Sequence, residues 1–170
     1  MTGRPDRHVA LRCSCGRVEM EPTGRPIAST VCCCQSCQQG SRQLEELPNG
    51  RPIREPYGGT AYILYRKDRI KYLKGRELLQ GHKLEAESPT SRVVSTCCNS
   101  PMFLDFEKGH WLSIYRRTAY GDLPPVEMRV HTKSLPPGSN LPKDVTSSPG
   151  YPTRFIFRLL SSRIAMLLRR

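Results

Sequence analysis

The chain has 170 residues, 37% of them hydrophobic, and a formal net charge of +12 from 27 Lys and Arg against 15 Asp and Glu. That length suits one modest domain with a tail. The ordinary content of aliphatic and charged residues excludes a wholly disordered, collagen-like or integral membrane chain. Eight cysteines and the basic excess stand out.

The first residues, Met1 to Arg7, lead into no apolar signal segment, and no run approaches the ~18 apolar residues of a spanning helix. The expected compartment is the cytosol, where thiols stay reduced. Cysteines there point to metal ligands or catalysis before disulfides.

Residues 8–20 read as strand, with Val9 and Leu11 before Cys13-Ser14-Cys15-Gly16 and Val18 and Met20 after it. In Cys-x-Cys an extended backbone points both thiols to one face. Pro22, Gly24 and Pro26 mark a turn into a second strand, Ile27 to Val31, which runs into Cys32-Cys33-Cys34-Gln35-Ser36-Cys37. There Cys32, Cys34 and Cys37 can converge, while Cys33 points away as a free thiol. A short helix is predicted from Gln38 to Leu47, ended by Pro48-Asn49-Gly50.

Further strands are predicted at 61–65, 70–73, 82–85, 92–95, 101–106, 111–115 and 127–131. Strands at this spacing predict a mainly β domain of coiled sheets. Cys97 and Cys98 lie between two of them. Adjacent thiols face opposite ways on a strand, so both can hold one ion only from a tight turn. Pro136 to Pro152 reads as an irregular linker. On a helical wheel the tail, 154–170, gathers Ile156, Phe157, Leu160, Ile164, Leu167 and Leu168 on one face, interrupted by Arg163, with Arg154, Arg158 and Arg169 opposite. Such a helix packs on the domain or a second subunit, or lies on an anionic membrane.

The clustering favours zinc, which prefers thiolate and takes four ligands. Two sites per chain are expected. One joins Cys13 and Cys15 to Cys97 and Cys98 as a closed structural centre. The other uses Cys32, Cys34 and Cys37 and leaves an open position for catalysis, unless His110 or His131 closes it. The four histidines, His8, His82, His110 and His131, show no ligand spacing among themselves. Two divalent ions on seven thiolates would lower the formal charge by about three, and five of the arginines sit in the tail.

Cys13-Ser14-Cys15-Gly16, then Cys32-Cys33-Cys34-Gln35-Ser36-Cys37, then Cys98-Asn99-Ser100-Pro101-Met102-Phe103 together resemble the glutathione-dependent formaldehyde-activating enzyme family, which includes the centromere protein V domain. Ile70 to Gly75 resembles that family's strand-then-glycine segment. The resemblance covers residues 8–133, followed by a linker at 134–153 and the helix. It implies coiled β-sheets around zinc, a second zinc beside a glutathione cleft, and a carbon–sulfur lyase joining formaldehyde to glutathione. Cys32, Cys34 and Cys37 would then be catalytic, with Arg66, Lys67 or Arg69 near the glutathione carboxylates. The third motif departs from the family's Cys-x-x-Cys-Gly. Ser95 stands at the first cysteine and Asn99 at the glycine, which suggests a divergent member.

Two other functions compete. The six basic residues between Arg66 and Arg76 could bind nucleic acid as part of a zinc module, or the segment could serve a protein partner. The tail could make the protein membrane-peripheral.

Overall fold

The computed structural model describes residues 8–168. Strands β1 (Val9–Arg12) and β2 (Glu19–Pro22) form a hairpin around the first cysteine motif. β3 (Ala28–Cys32) leads into helix α1 (Gln35–Glu45), followed by β4 (Thr60–Arg66), β5 (Ile70–Lys74), β6 (Leu79–His82), β7 (Thr90–Ser95), β8 (Pro101–Phe106) and β9 (Trp111–Tyr115). β10 (Ala119–Gly121), β11 (Met128–Val130), β12 (Thr146–Ser147) and helix α2 (Thr153–Leu167) complete the order. The fold is mainly β, as expected. A four-stranded sheet runs β10-β1-β2-β5, and an eight-stranded sheet runs β12-β11-β3-β4-β9-β8-β7-β6.

β4 shows how the layers form. All seven of its residues are buried, because this central strand of the large sheet is covered on both faces. Side chains alternate along a strand. Ile63 and Tyr65 therefore join Leu11, Met20, Leu112 and Ile114 in a core between the two sheets. Tyr62 and Leu64 point the other way, into a core shared with Leu44 of α1 and Phe155 of α2. The large sheet thus carries the small sheet on one face and both helices on the other.

Helix α1 starts three residues before the predicted Gln38. Cys34 sits at its N-cap in an extended conformation, and Cys37, Gly40, Ser41 and Leu44 are buried at helical spacing. The helix therefore begins inside the cysteine cluster. It ends at Glu45, whose carboxylate accepts the backbone N–H groups of Ile53 and Arg54 at 2.8 and 2.9 Å. The strand predicted at 82–85 lies at Leu79–His82, where it pairs with β7 from Leu79↔Ser95 to His82↔Arg92. Gly75 fixes the approach to it with φ +69, and an added Cβ would lie 2.3 Å from the Arg17 carbonyl oxygen.

The irregular stretch from 136 is laid against the domain. Arg129 on β11 is 3% exposed and donates to Asp144 at 2.7 Å and to the Pro142 carbonyl at 3.1 Å. β12 adds to β11 in parallel.

α1 crosses β7 at Gly40, where a Cβ would fall 1.8 Å from Arg92 Nε. Arg92 cannot step aside easily, being 2% exposed and donating to the Ser36 carbonyl at 2.7 Å. Gly40→Ala should therefore lower stability by about 1–3 kcal/mol, as overpacking does, read as a lower urea midpoint.

Candidate metal centres

The first cysteine motif turns back at Gly16, whose N–H donates to the Cys13 carbonyl at 2.9 Å. The Val18 N–H then donates to Cys13 Sγ at 3.2 Å. Across the sheet interface, Ser95 to Ser100 makes a tight turn at the end of β7. Asn99, which stands where the resembled motif has glycine, takes the left-handed conformation with φ 52, which asparagine tolerates better than most residues. The turn brings both Cys97 and Cys98 to Cys13 and Cys15, and all four sulfurs lie within 4.8 Å of one another. Separations are 3.5 Å for Cys13–Cys15, 3.7 Å for Cys13–Cys97, 3.3 Å for Cys15–Cys97 and 3.9 Å for Cys97–Cys98. A tetrahedral ion with zinc–sulfur bonds of about 2.3 Å requires sulfurs about 3.8 Å apart. The four thiols fit that requirement.

Ser95 is fully buried and lies 3.3 Å from Cys98 Sγ, supporting that sulfur. Cys97 supplies the fourth thiol in its stead. Burial works to raise the Cys98 pKa, but the hydroxyls of Ser100, Ser14 and Ser95 outweigh it and bring it down to about 4.

Cys32, Cys34 and Cys37 form the second group, again within 4.8 Å of one another. The end of β3 presents Cys32, the N-cap presents Cys34 and the first turn of α1 presents Cys37. The thiols of Cys32 and Cys37, and the Ser36 hydroxyl, hold Cys34 far below the ordinary thiol range against the opposing effect of burial. Hydrogen bonding to Cys34 and Cys37, then burial, pushes Cys32 up. Cys33 points away, packing with Val31 and Ala61. Burial raises its pKa to about 11.

Among the described residues no fourth His, Cys, Asp or Glu joins this trio. His110 Nε2 lies 2.6 Å from Ser162 Oγ of α2. His131 stands edge-on to Tyr151, with ring centroids 4.3 Å apart.

The trio opens onto a cavity of about 340 Å³ on the helix-bearing face of the large sheet. Tyr62 and Leu64 of β4, Trp111 and Ser113 of β9, and Leu104 of β8 form its floor, and Phe155, Ile156 and Leu159 of α2 its roof. The Tyr62 hydroxyl donates to Cys37 Sγ at 3.7 Å. Neither this cavity nor Tyr62 carries a signature in the sequence. Strand register alone brings Tyr62, Leu64, Ser113 and Leu104 to one face.

α2 docks through a face other than the expected one. Phe155 is buried, Leu159 packs on the core and Ser162 meets His110. Ile156, Phe157, Leu160, Ile164, Leu167 and Leu168 are exposed instead. The helix is apolar on two sides, and the domain takes the narrower one.

Arg66 pairs with Asp68, and Lys67 pairs with Asp105 at 2.7 Å. Neither they nor Arg69 line the cavity. Lys74 pairs with Glu19 at 3.4 Å. Among the described residues no helix is long and apolar enough to cross a membrane.

No family model and no curated protein matches the chain. One solved structure, a protein from Rhodobacter sphaeroides determined by a structural genomics programme, is similar at 13% identity. The match covers 82% of this chain and 99% of that one, with a TM-score of 0.46.

The wild-type chain, loaded with zinc and freed of excess, should hold two ions by elemental analysis. Cys34→Ser should hold one and keep its melting temperature within about 2 °C, whereas Cys13→Ser should lose an ion and melt lower by about 4 °C or more.

Proposed function

We propose that the protein is a zinc-dependent enzyme of thiol–aldehyde chemistry, a carbon–sulfur lyase in the reverse sense, with one structural and one catalytic ion. The observation that carries this reading is the three-thiol group at the wall of a cavity, with no fourth His, Cys, Asp or Glu joining it among the described residues. The closed four-thiol group fits the structural role.

Cys32, Cys34 and Cys37 would hold a zinc ion that offers an open position and lowers the pKa of a thiol placed there. The chain's own residues orient that site. Tyr62 donates to Cys37, and the Ser36 hydroxyl lies 3.4 Å from Cys34. Arg92 holds the Ser36 carbonyl between the two ligands. The largely apolar cavity walls would limit the water around the reacting pair.

The substrate thiol gives up its proton, and its sulfur forms a bond to the aldehyde carbon. The carbonyl π pair moves to oxygen, which takes up the proton, leaving an S-(hydroxyalkyl) adduct. No oxidant or reductant is required. Formaldehyde is the smallest such aldehyde, and a small thiol the partner; the resembled family uses glutathione.

The exposed face of α2 favours a second reading, a membrane-peripheral protein. Phe157 and Leu168 are 72% and 81% exposed. Residues 145–170 carry five arginines and no Asp or Glu. Arg158 already pairs with Glu127. An apolar stripe with a one-signed charge suits an anionic bilayer surface. Nucleic-acid binding draws less support, because Arg66, Lys67 and Lys74 of the basic segment are in ion pairs.

Two measurements test these readings. Exchange NMR with labelled formaldehyde and a thiol should show adduct formation accelerated at least about tenfold by the zinc-loaded protein and not by Cys34→Ser. The chain should sediment with phosphatidylserine-containing vesicles and not with neutral ones, and Phe157→Glu with Leu160→Glu should abolish it. Unchanged sedimentation of that variant would remove the membrane reading.

A further inference from the structure

From the lining of the cavity beside Cys32, Cys34 and Cys37, we infer that the thiol it admits is an uncharged one with an alkyl or aryl body, and not glutathione. This rests on the reading of that cavity as the substrate site.

Among the described residues that line the cavity there is no Lys, Arg, His, Asp or Glu. Glutathione carries two carboxylates and an ammonium group. Each would need a charged or strongly polar partner once out of water. The cations expected to meet those carboxylates are committed elsewhere, Arg66 to Asp68 and Lys67 to Asp105. Leu64, Leu104, Phe155 and Leu159 make much of the lining apolar, and its polar members, Ser36 and Ser113 among them, are neutral. Tyr151 stacks on Phe155 with centroids 5.0 Å apart, adding an aromatic wall.

That uncharged, largely apolar lining beside three thiols matches a molecule with a sulfhydryl at one end and a hydrocarbon body at the other. The sulfur would lie toward Cys34 and the body under α2. A volume of about 340 Å³ lies near the small end of ligand pockets, so the body is short to medium in length. α2 then has a role in specificity, since Phe155, Ile156 and Leu159 provide a wall that a chain ending before residue 153 would lack.

Trp111 is the chain's single tryptophan and lines this cavity, so its fluorescence reports occupancy without relying on turnover. The full-length zinc-loaded protein is titrated with butanethiol, hexanethiol, octanethiol, octanol and glutathione. The alkyl thiols should bind saturably and tighten about three- to fourfold per added methylene until the cavity is full. Octanol should bind more weakly, and glutathione should cause no saturable change. Leu104→Glu, which puts a carboxylate in the wall, should weaken octanethiol at least about tenfold.

Should that variant fail to fold, the chain-length series on the wild type stands alone. Saturable binding of glutathione with no dependence on alkyl length would overturn the inference, as would the absence of any alkyl binding. If the alkyl thiols bind as described but adduct formation with formaldehyde is not accelerated, the ligand class stands and the proposed reaction fails.

Discussion

Four sulfurs from two distant segments must share a volume only one metal ion wide. Cys13 and Cys97 are separated by 84 positions, yet their sulfurs lie 3.7 Å apart. Four thiolates at such separations would repel one another, and a divalent cation would turn that repulsion into attraction. An ion held there would join the loop after β1 in the small sheet to the turn after β7 in the large one and so fix how the two sheets stack. Closing so long a loop removes much freedom from the unfolded chain.

With the sheets held together on one face, the other face of the large sheet is free to build a site. β3 ends in Cys32, and α1 begins within the next three residues. The helix start therefore sets the positions of Cys34 and Cys37, and Arg92 clamps the first turn between them through the Ser36 carbonyl. The difference between the two centres follows from topology. The first draws four thiols from segments in two sheets, so the protein itself can fill all four positions. The second draws all its thiols from one strand-to-helix junction, and its remaining side faces a cavity.

The sequence revealed chemistry better than placement. Spacing points to the proposed ligands, with Cys97 dependent on a tight turn, and alternation along a strand singles out Cys33 as the thiol pointing away. The doubt over Cys97 and Cys98 was resolved by a backbone feature, Asn99 in the left-handed region, which allows adjacent thiols to reach one centre. Other features were not legible. β10 and β12 have three and two residues, too few for a hydrophobic period to register. The start of α1 was placed late because Cys34 caps without a side-chain hydrogen bond, so no Ser, Thr or Asp marked it. α2 is apolar on two sides, and a helical wheel cannot choose the side a domain will cover. The cavity depends on register across β8, β9 and β4, a long-range property that no local pattern encodes.

The central claim is that one chain holds a closed and an open thiolate centre. X-ray absorption at the zinc edge of the fully loaded protein measures this directly. Four sulfurs in one group and three in the other predict an average of about three and a half sulfurs per zinc, with a light oxygen or nitrogen scatterer making up the rest. An average of four sulfurs with no light scatterer would show that the second centre is closed or empty, and would contradict the account.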